Sequence, residues 1–464
     1  MIDEIEKLKE EKEIEKLIGL LQESEAKIRE EAVKALGMIG SKEALSYLIE
    51  RLKEDPAATV RANAALALSH FESEDCKRAL KEAVEDEDWE VRHDVAIAMR
   101  EFQDKEIEEK LCSLITDKEM EVRKKAIDSL GEMGDEDMIS ELKKHLGYEE
   151  LKKNAARAIS KIGTEKALEP LEKMYHNGDQ EMREIAVQGI ENIKSEDANS
   201  ILLDALEDES WRIREEAAKI LGERGDGEYI PHLVDRLEDE NKYVVEAALR
   251  SLGTLDEDSV LEAIKGKIDD EEPVIRIAAA DALETIDTEK SARSLLDRLE
   301  KEDNPRVLWS ISESLSGISK DILENLEKEL DAISEDKDIF VSVSMAKAGF
   351  SSYADDLIPA LDSERWKIRQ KAAEALGNVE ITELNKRNRK RVVRKLRERL
   401  RDNDKWVRVR SVRTLAKIIS DVDGEIQEID LEKIREDIFE MEDTEADEDV
   451  LEAVRDAKNL LELV

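Results

Sequence analysis

The chain has 464 residues, of which 41% are charged and only 3% aromatic, and its formal net charge is −43 at pH 7. So few bulky side chains exclude several thick globular cores, and the acidity excludes a protein whose whole surface binds nucleic acid, because phosphate recognition needs a basic footprint. With 40% hydrophobic residues, disorder is excluded as well.

The N-terminal stretch MIDEIEKLKEEKEIEKL reads as a charged capping helix without an apolar signal region. No run approaches the roughly 18 uninterrupted apolar residues of a membrane span. Cys76 and Cys112 lie in amphipathic helical stretches and read as small buried hydrophobes. A cytoplasmic protein with no membrane attachment is expected.

From Ile28 onward the chain repeats itself. The pattern apolar-Arg-x-x-Ala-x-x-x-Leu-Gly begins at Ile28, Val60, Val91, Val122, Leu151, Met182, Ile213, Val244, Ile275, Val307, Ile339, Ile368 and Val407. Most spacings are 31 or 32 residues, two are 29 and the last is 39. Such regularity marks a repeat architecture. Within a unit, apolar positions 0, +4 and +8, as in Ile213, Ala217 and Leu221, share one helical face. A first amphipathic helix precedes each, for example EALSYLIERL (43–52). Asp and Ser clusters with Pro56, Pro273 and Pro305 mark the turn between the paired helices, and Gly37, Gly131, Gly222, Gly253 and Gly377 are expected as left-handed caps of the second helices. DEDWEVRHDVAIAM (86–99) resembles an active-site fragment until it recurs at 208–221 and 362–376; Trp89, Trp211 and Trp366 then read as caps of that turn.

A unit of about 31 residues cannot bury its apolar face alone, so the pairs must stack. The expected fold is all-α: a curved α-solenoid of about thirteen helix-pair repeats, with the solenoid over 1–380 and divergent C-terminal repeats over 381–464.

These units resemble HEAT repeats, and VKALGMIGSKEALSYLIERL (33–52) is especially similar to the short repeats of the phycobilisome-lyase subclass. The resemblance covers about residues 28–420 and implies fold more than function. It implies a structural ladder between layers made by the arginine after the first apolar residue: Arg29, Arg61, Arg92, Arg123, Arg183, Arg214, Arg276, Arg369 and Arg408. It also implies, as alternatives resting on the resemblance alone, a bilin-lyase-like or a metal-dependent oxygenase activity.

The residues offer no support for that chemistry. Iron-binding HEAT enzymes need His-Glu pairs, whereas the five histidines here are followed by Phe71, Asp94, Leu146, Asn177 and Leu233. Gly222, Gly225 and Gly227 lie between helices with no preceding strand, so they are not a phosphate loop. No catalytic, cofactor-binding or metal-binding residue is assigned, and no cofactor is expected.

Two departures from the repeat remain. Layers starting at Ile275, Val307 and Ile339 lose charge at positions that should face outward, leaving Ile277, Trp309, Val341 and Met345 as candidate partner-binding residues in a concave groove. The ladder arginine is replaced there and nearby, at Val245, Leu308 and Phe340. The other departure is the segment 386–413, read as a basic helix, with fourteen Lys/Arg against three Asp/Glu; Arg387, Arg389, Lys390, Arg391, Arg394 and Lys395 form its patch. It binds nucleic acid, docks an acidic protein surface, or is neutralised by the acidic segment 421–449, either within one chain or across a homodimer. Nucleic acid is disfavoured by the overall charge. The expected function is a non-catalytic scaffold that binds another protein, with the acidic repeats favouring a basic or extended segment as partner.

Overall fold

The computed structural model describes residues 2–255, 258–330, 333–334, 337–422 and 429–462. Among them every regular element is a helix. The chain divides into two compact units, Met1–Ile220 and Leu221–Val464. The boundary expected near 381 does not coincide with that division: in the second unit one apolar core runs from Trp309 to Leu461.

Each unit is an α-solenoid of stacked helix pairs. In the first, second helices include Ala26–Ile39, Ala58–Leu68, Trp89–Met99, Met120–Met133, Lys152–Ile162 and Gln180–Ile190. In the second unit they are Lys242–Gly253, Pro273–Ile286, Pro305–Gly317, Asp338–Lys347, Trp366–Leu376, Lys405–Val422 and Glu448–Glu462. The last, preceded by Leu431–Thr444, is a helix pair beyond the repeats read from the sequence. It buries Val450, Ala453, Val454, Ala457 and Leu461 at helical spacing.

Local chemistry sets the boundaries. Asp88 starts its helix by accepting from the Glu90 N–H at 2.9 Å, and Trp89, Trp211 and Trp366 are the first residues of theirs. The glycines have a different role from the one expected. Gly37 lies inside Ala26–Ile39, where a Cβ would come 2.6 Å from that of Ala67, and at Gly131 it would come 2.5 Å from the Ala158 Cα. These glycines therefore let successive second helices touch backbone to backbone. The left-handed caps stand three residues later, as at Gly40 (φ 68°) and Gly134 (φ 75°).

The basic segment 386–413 is not one helix. It comprises the first helix Lys386–Arg399, a turn, and the start of Lys405–Val422. Asp404 breaks it by accepting from the Trp406 N–H at 2.9 Å, the N-cap geometry that opens a new helix. In the acidic segment, residues 423–428 lie outside the described residues.

Candidate interaction site

Arginine rungs tie adjacent layers together. Arg29 donates from Nε and Nη2 to Asp55 at 2.8 Å each, while its Nη1 donates to the Glu23 carbonyl at 2.8 Å. Arg61–Asp86, Arg92–Asp117, Arg183–Asp208, Arg276–Glu302, Arg369–Asp402 and Arg408–Glu445 repeat the two-pronged pairing. Arg214 bonds the carbonyls of Asp208 and Glu209. Each rung acid also accepts from the backbone two residues on, as Asp55 does from the Ala57 N–H, so one carboxylate holds both the turn and the neighbouring layer. Burial alone would raise the Asp55 carboxyl, but Arg29 and that N–H hold it below its ordinary range. Glu302, opposed in the same way by burial and favoured by Arg276, the Asn304 N–H and Arg298, goes down to about 2.

Arg123 makes no such rung. Its Nε is buried without a hydrogen-bond partner among the described residues, and the place of the rung acid in the next, shortened repeat is held by Leu146.

The uncharged layers are not an exposed patch. Trp309 is 8% exposed, Val341 and Met345 are 1% exposed, and Ile277 is half-buried. The cause is the helix Asp338–Lys347, whose Ile339–Ala346 stretch carries no charge and whose only polar side chains are the small Ser342 and Ser344; a helix without a charged face sinks into the core. Trp309 packs on Phe340 with ring centroids 4.6 Å apart, and the Ser312 hydroxyl donates to the Phe340 carbonyl at 2.9 Å. Over this recessed helix lies a cluster of charges. Glu313 accepts from both Lys347 and Lys371, and Glu374 lies 3.5 Å from each lysine and 3.7 Å from Arg410. Burial opposes the Glu313 charge, but the two lysines hold its carboxyl below the ordinary range.

Beside this cluster, Asp281 and Glu284 on Pro273–Ile286 go the other way. Burial lifts both carboxyls above their usual range, and each is partly exposed. Asp281 has Arg250 at 3.4 Å and Ser310 at 3.5 Å. Glu284 is raised further by Asp281 and sits in a notch that Gly317 leaves open: a Cβ there would be 1.9 Å from its Oε1. The sequence reading missed the acidic pair, two among 117 acids.

The basic segment is partly neutralised within the chain. Arg397 pairs with Asp437 at 2.5 Å, Lys405 with Asp449 at 2.5 Å and Arg408 with Glu445 at 2.7 Å, so the acidic segment meets it in one chain and needs no second copy for this. Lys395 pairs with Asp362 at 2.8 Å. Arg387, Lys390 and Arg394 are exposed, and Arg389 and Arg391 half-buried. Among the described residues, no three His, Cys, Asp or Glu side chains are grouped to hold a metal ion, and no helix is long and apolar enough to cross a membrane. Cys76 and Cys112 are free thiols, both pushed up to about 11 by burial.

The fold has solved relatives. Yeast importin-β (Kap95p) superposes with a TM-score of 0.53 at 13% identity, covering 97% of this chain and 72% of that one. Kap121p, solved bound to Pho4p, gives 0.54 at 12% identity over 96% of this chain; the alignment takes in 53% of Kap121p, so this chain spans about half its length. No curated protein sequence matches the chain. The model for HEAT repeats matches residues 1–69, 77–153, 176–251, 230–316 and 354–433. With most of its length matched and its helix pairs stacked in this way, the chain belongs to the HEAT-repeat family.

Proposed function

We propose that this protein is a non-catalytic interaction scaffold and that the second-helix row of the unit Leu221–Val464 takes a basic, extended segment of a partner protein. The observation that carries the reading is the pair Asp281 and Glu284: two partly exposed carboxyls that burial holds above their ordinary range, although Arg250 lies 3.4 Å from Asp281 and Lys347 acts on Glu284. A lysine or arginine laid beside them supplies the missing positive charge. A protein partner also accords with the solenoid fold, since Kap121p has been solved bound to Pho4p. The 31-residue period supports the phycobilisome-lyase-like subclass as a repeat type, without its chemistry. Free thiols at Cys76 and Cys112 favour a reducing compartment such as the cytoplasm.

The test is a labelled lysine-rich extended peptide titrated into the full chain, followed by anisotropy. Binding that weakens about tenfold in the double variant Asp281→Asn, Glu284→Gln supports the reading. Equal affinity for the double variant, or no binding to the wild type, removes this site.

A further inference from the structure

The helix Lys386–Arg399 carries two sets of cations with different surroundings. Lys395, Arg397 and Arg399 turn toward Asp362, Asp437 and Asp402 and pair with them. Arg387, Lys390 and Arg391 make no ion pair among the described residues, and Arg394 reaches only Glu398 of its own helix, at 3.8 Å. Positions 387, 390, 391 and 394 follow the i, i+3, i+4, i+7 spacing, so they form one stripe of roughly 10 Å along the helix. Like charges at this spacing repel and weaken the helix that bears them. In a chain with 117 acids, three of the four stripe cations are left without acidic partners among the described residues and the fourth has only a long contact within its own helix, while their neighbours on the same helix find closer ones.

We propose that this stripe docks a short acidic segment of a partner protein, with carboxylates repeated at the same spacing. The boundaries of the stripe select that partner. Exposed Glu380 and Glu383 precede it, and exposed Glu398 and Glu440 lie at its other end, where Arg394, Arg401 and Glu440 line a cleft of about 880 Å³ between this helix and Leu431–Thr444. A nucleic-acid strand bears negative charge along its whole length and runs on into those glutamates. An acidic helix with four carboxylates at i, i+3, i+4 and i+7 fits the stripe and ends with it. Distant acids elsewhere on the chain are screened beyond roughly 8 Å at physiological salt, so the local basic field decides. This surface is independent of the acidic pair at Asp281 and Glu284.

The experiment titrates a labelled helical peptide bearing glutamates at that spacing into the full chain, with its glutamine counterpart and a single-stranded DNA oligonucleotide as comparisons. The glutamate peptide is expected to bind in preference to both. Arg387→Glu with Arg391→Glu is expected to weaken it by about tenfold or more, while Asp281→Asn with Glu284→Gln leaves it unchanged. Circular dichroism checks that the charge-reversed protein stays helical; if it does not, the neutral pair Arg387→Gln, Arg391→Gln takes its place. Peptide affinity unchanged by these substitutions, absence of peptide binding, or tighter binding of the oligonucleotide would overturn the proposal.

Discussion

Lys371 donates to Glu313 across a whole repeat: the two residues stand on Trp366–Leu376 and Pro305–Gly317, and the second helix between them, Asp338–Lys347, lies beneath their ion pair. Neither Leu308 nor Phe340 can supply the arginine rung used elsewhere, so at this layer the charged cluster replaces the ladder. The buried apolar helix and its polar cover form one unit of packing.

Removing the cover should loosen the helix below it. For Lys371→Met, amide hydrogen exchange across 338–347 is expected to speed up on the order of tenfold, with exchange in Ala58–Leu68 unchanged. Unaltered exchange at 338–347 would show that packing alone holds this layer.

The rungs make a paired prediction. Arg92 and Asp117 are 5% and 8% exposed, so Arg92→Ala leaves a buried carboxylate without its countercharge, held only by the Glu119 N–H, and should cost about 3 kcal/mol. Arg123 occupies the same repeat position with no acid to meet, and Arg123→Ala should cost less than about 1 kcal/mol. Urea unfolding of the two variants measures the difference, which vanishes if the rungs are merely surface ion pairs.

Acid should unfold the protein through the same carboxylates. Asp55, Asp86, Asp117, Asp402, Glu302 and Glu445 all lie below their ordinary range in the folded chain. Their stabilisation is complete above the unfolded values near 4 and is lost as pH falls toward the folded values, about 2 for Glu302. Glu284, raised in the folded state, destabilises at neutral pH, so Glu284→Gln should raise Tm at pH 7 by on the order of 1 °C. Thermal melts from neutral pH downward test both, and a lower Tm for Glu284→Gln would contradict the second.

Glycines separate by position. Gly37→Ala drives a methyl against Ala67 and should cost about 1–3 kcal/mol. Gly19→Ala, with nothing within 4 Å, should stabilise its helix by up to about 1 kcal/mol. Thermal unfolding of the two single variants compares them.

The repeat register was legible because burial imposes a local period: Ile28, Val60, Val91 and their counterparts take the same place in successive units. Trp309 was misread because loss of charge marks both a docking surface and a helix buried on all sides. What separates the two is the ion pair from Lys371 to Glu313, made 58 residues apart and invisible to a local pattern. The final pair, Leu431–Thr444 with Glu448–Glu462, escaped the repeat alignment because Leu451 stands where the arginine belongs, although Val450 and Val454 kept the apolar spacing. Asp281 and Glu284 have no signature in sequence, since what singles them out is burial and the notch at Gly317.

The most direct measurement is calorimetric titration of the lysine-rich peptide at mildly acid pH in two buffers of different ionisation enthalpy. Because Glu284 and Asp281 are raised when the site is empty, a cation docking there lowers them, and binding should release protons in the wild type but not in the variant Asp281→Asn, Glu284→Gln. Binding with no proton release, or with the same release from both proteins, would place the partner elsewhere and contradict the assignment of Asp281 and Glu284 as its site.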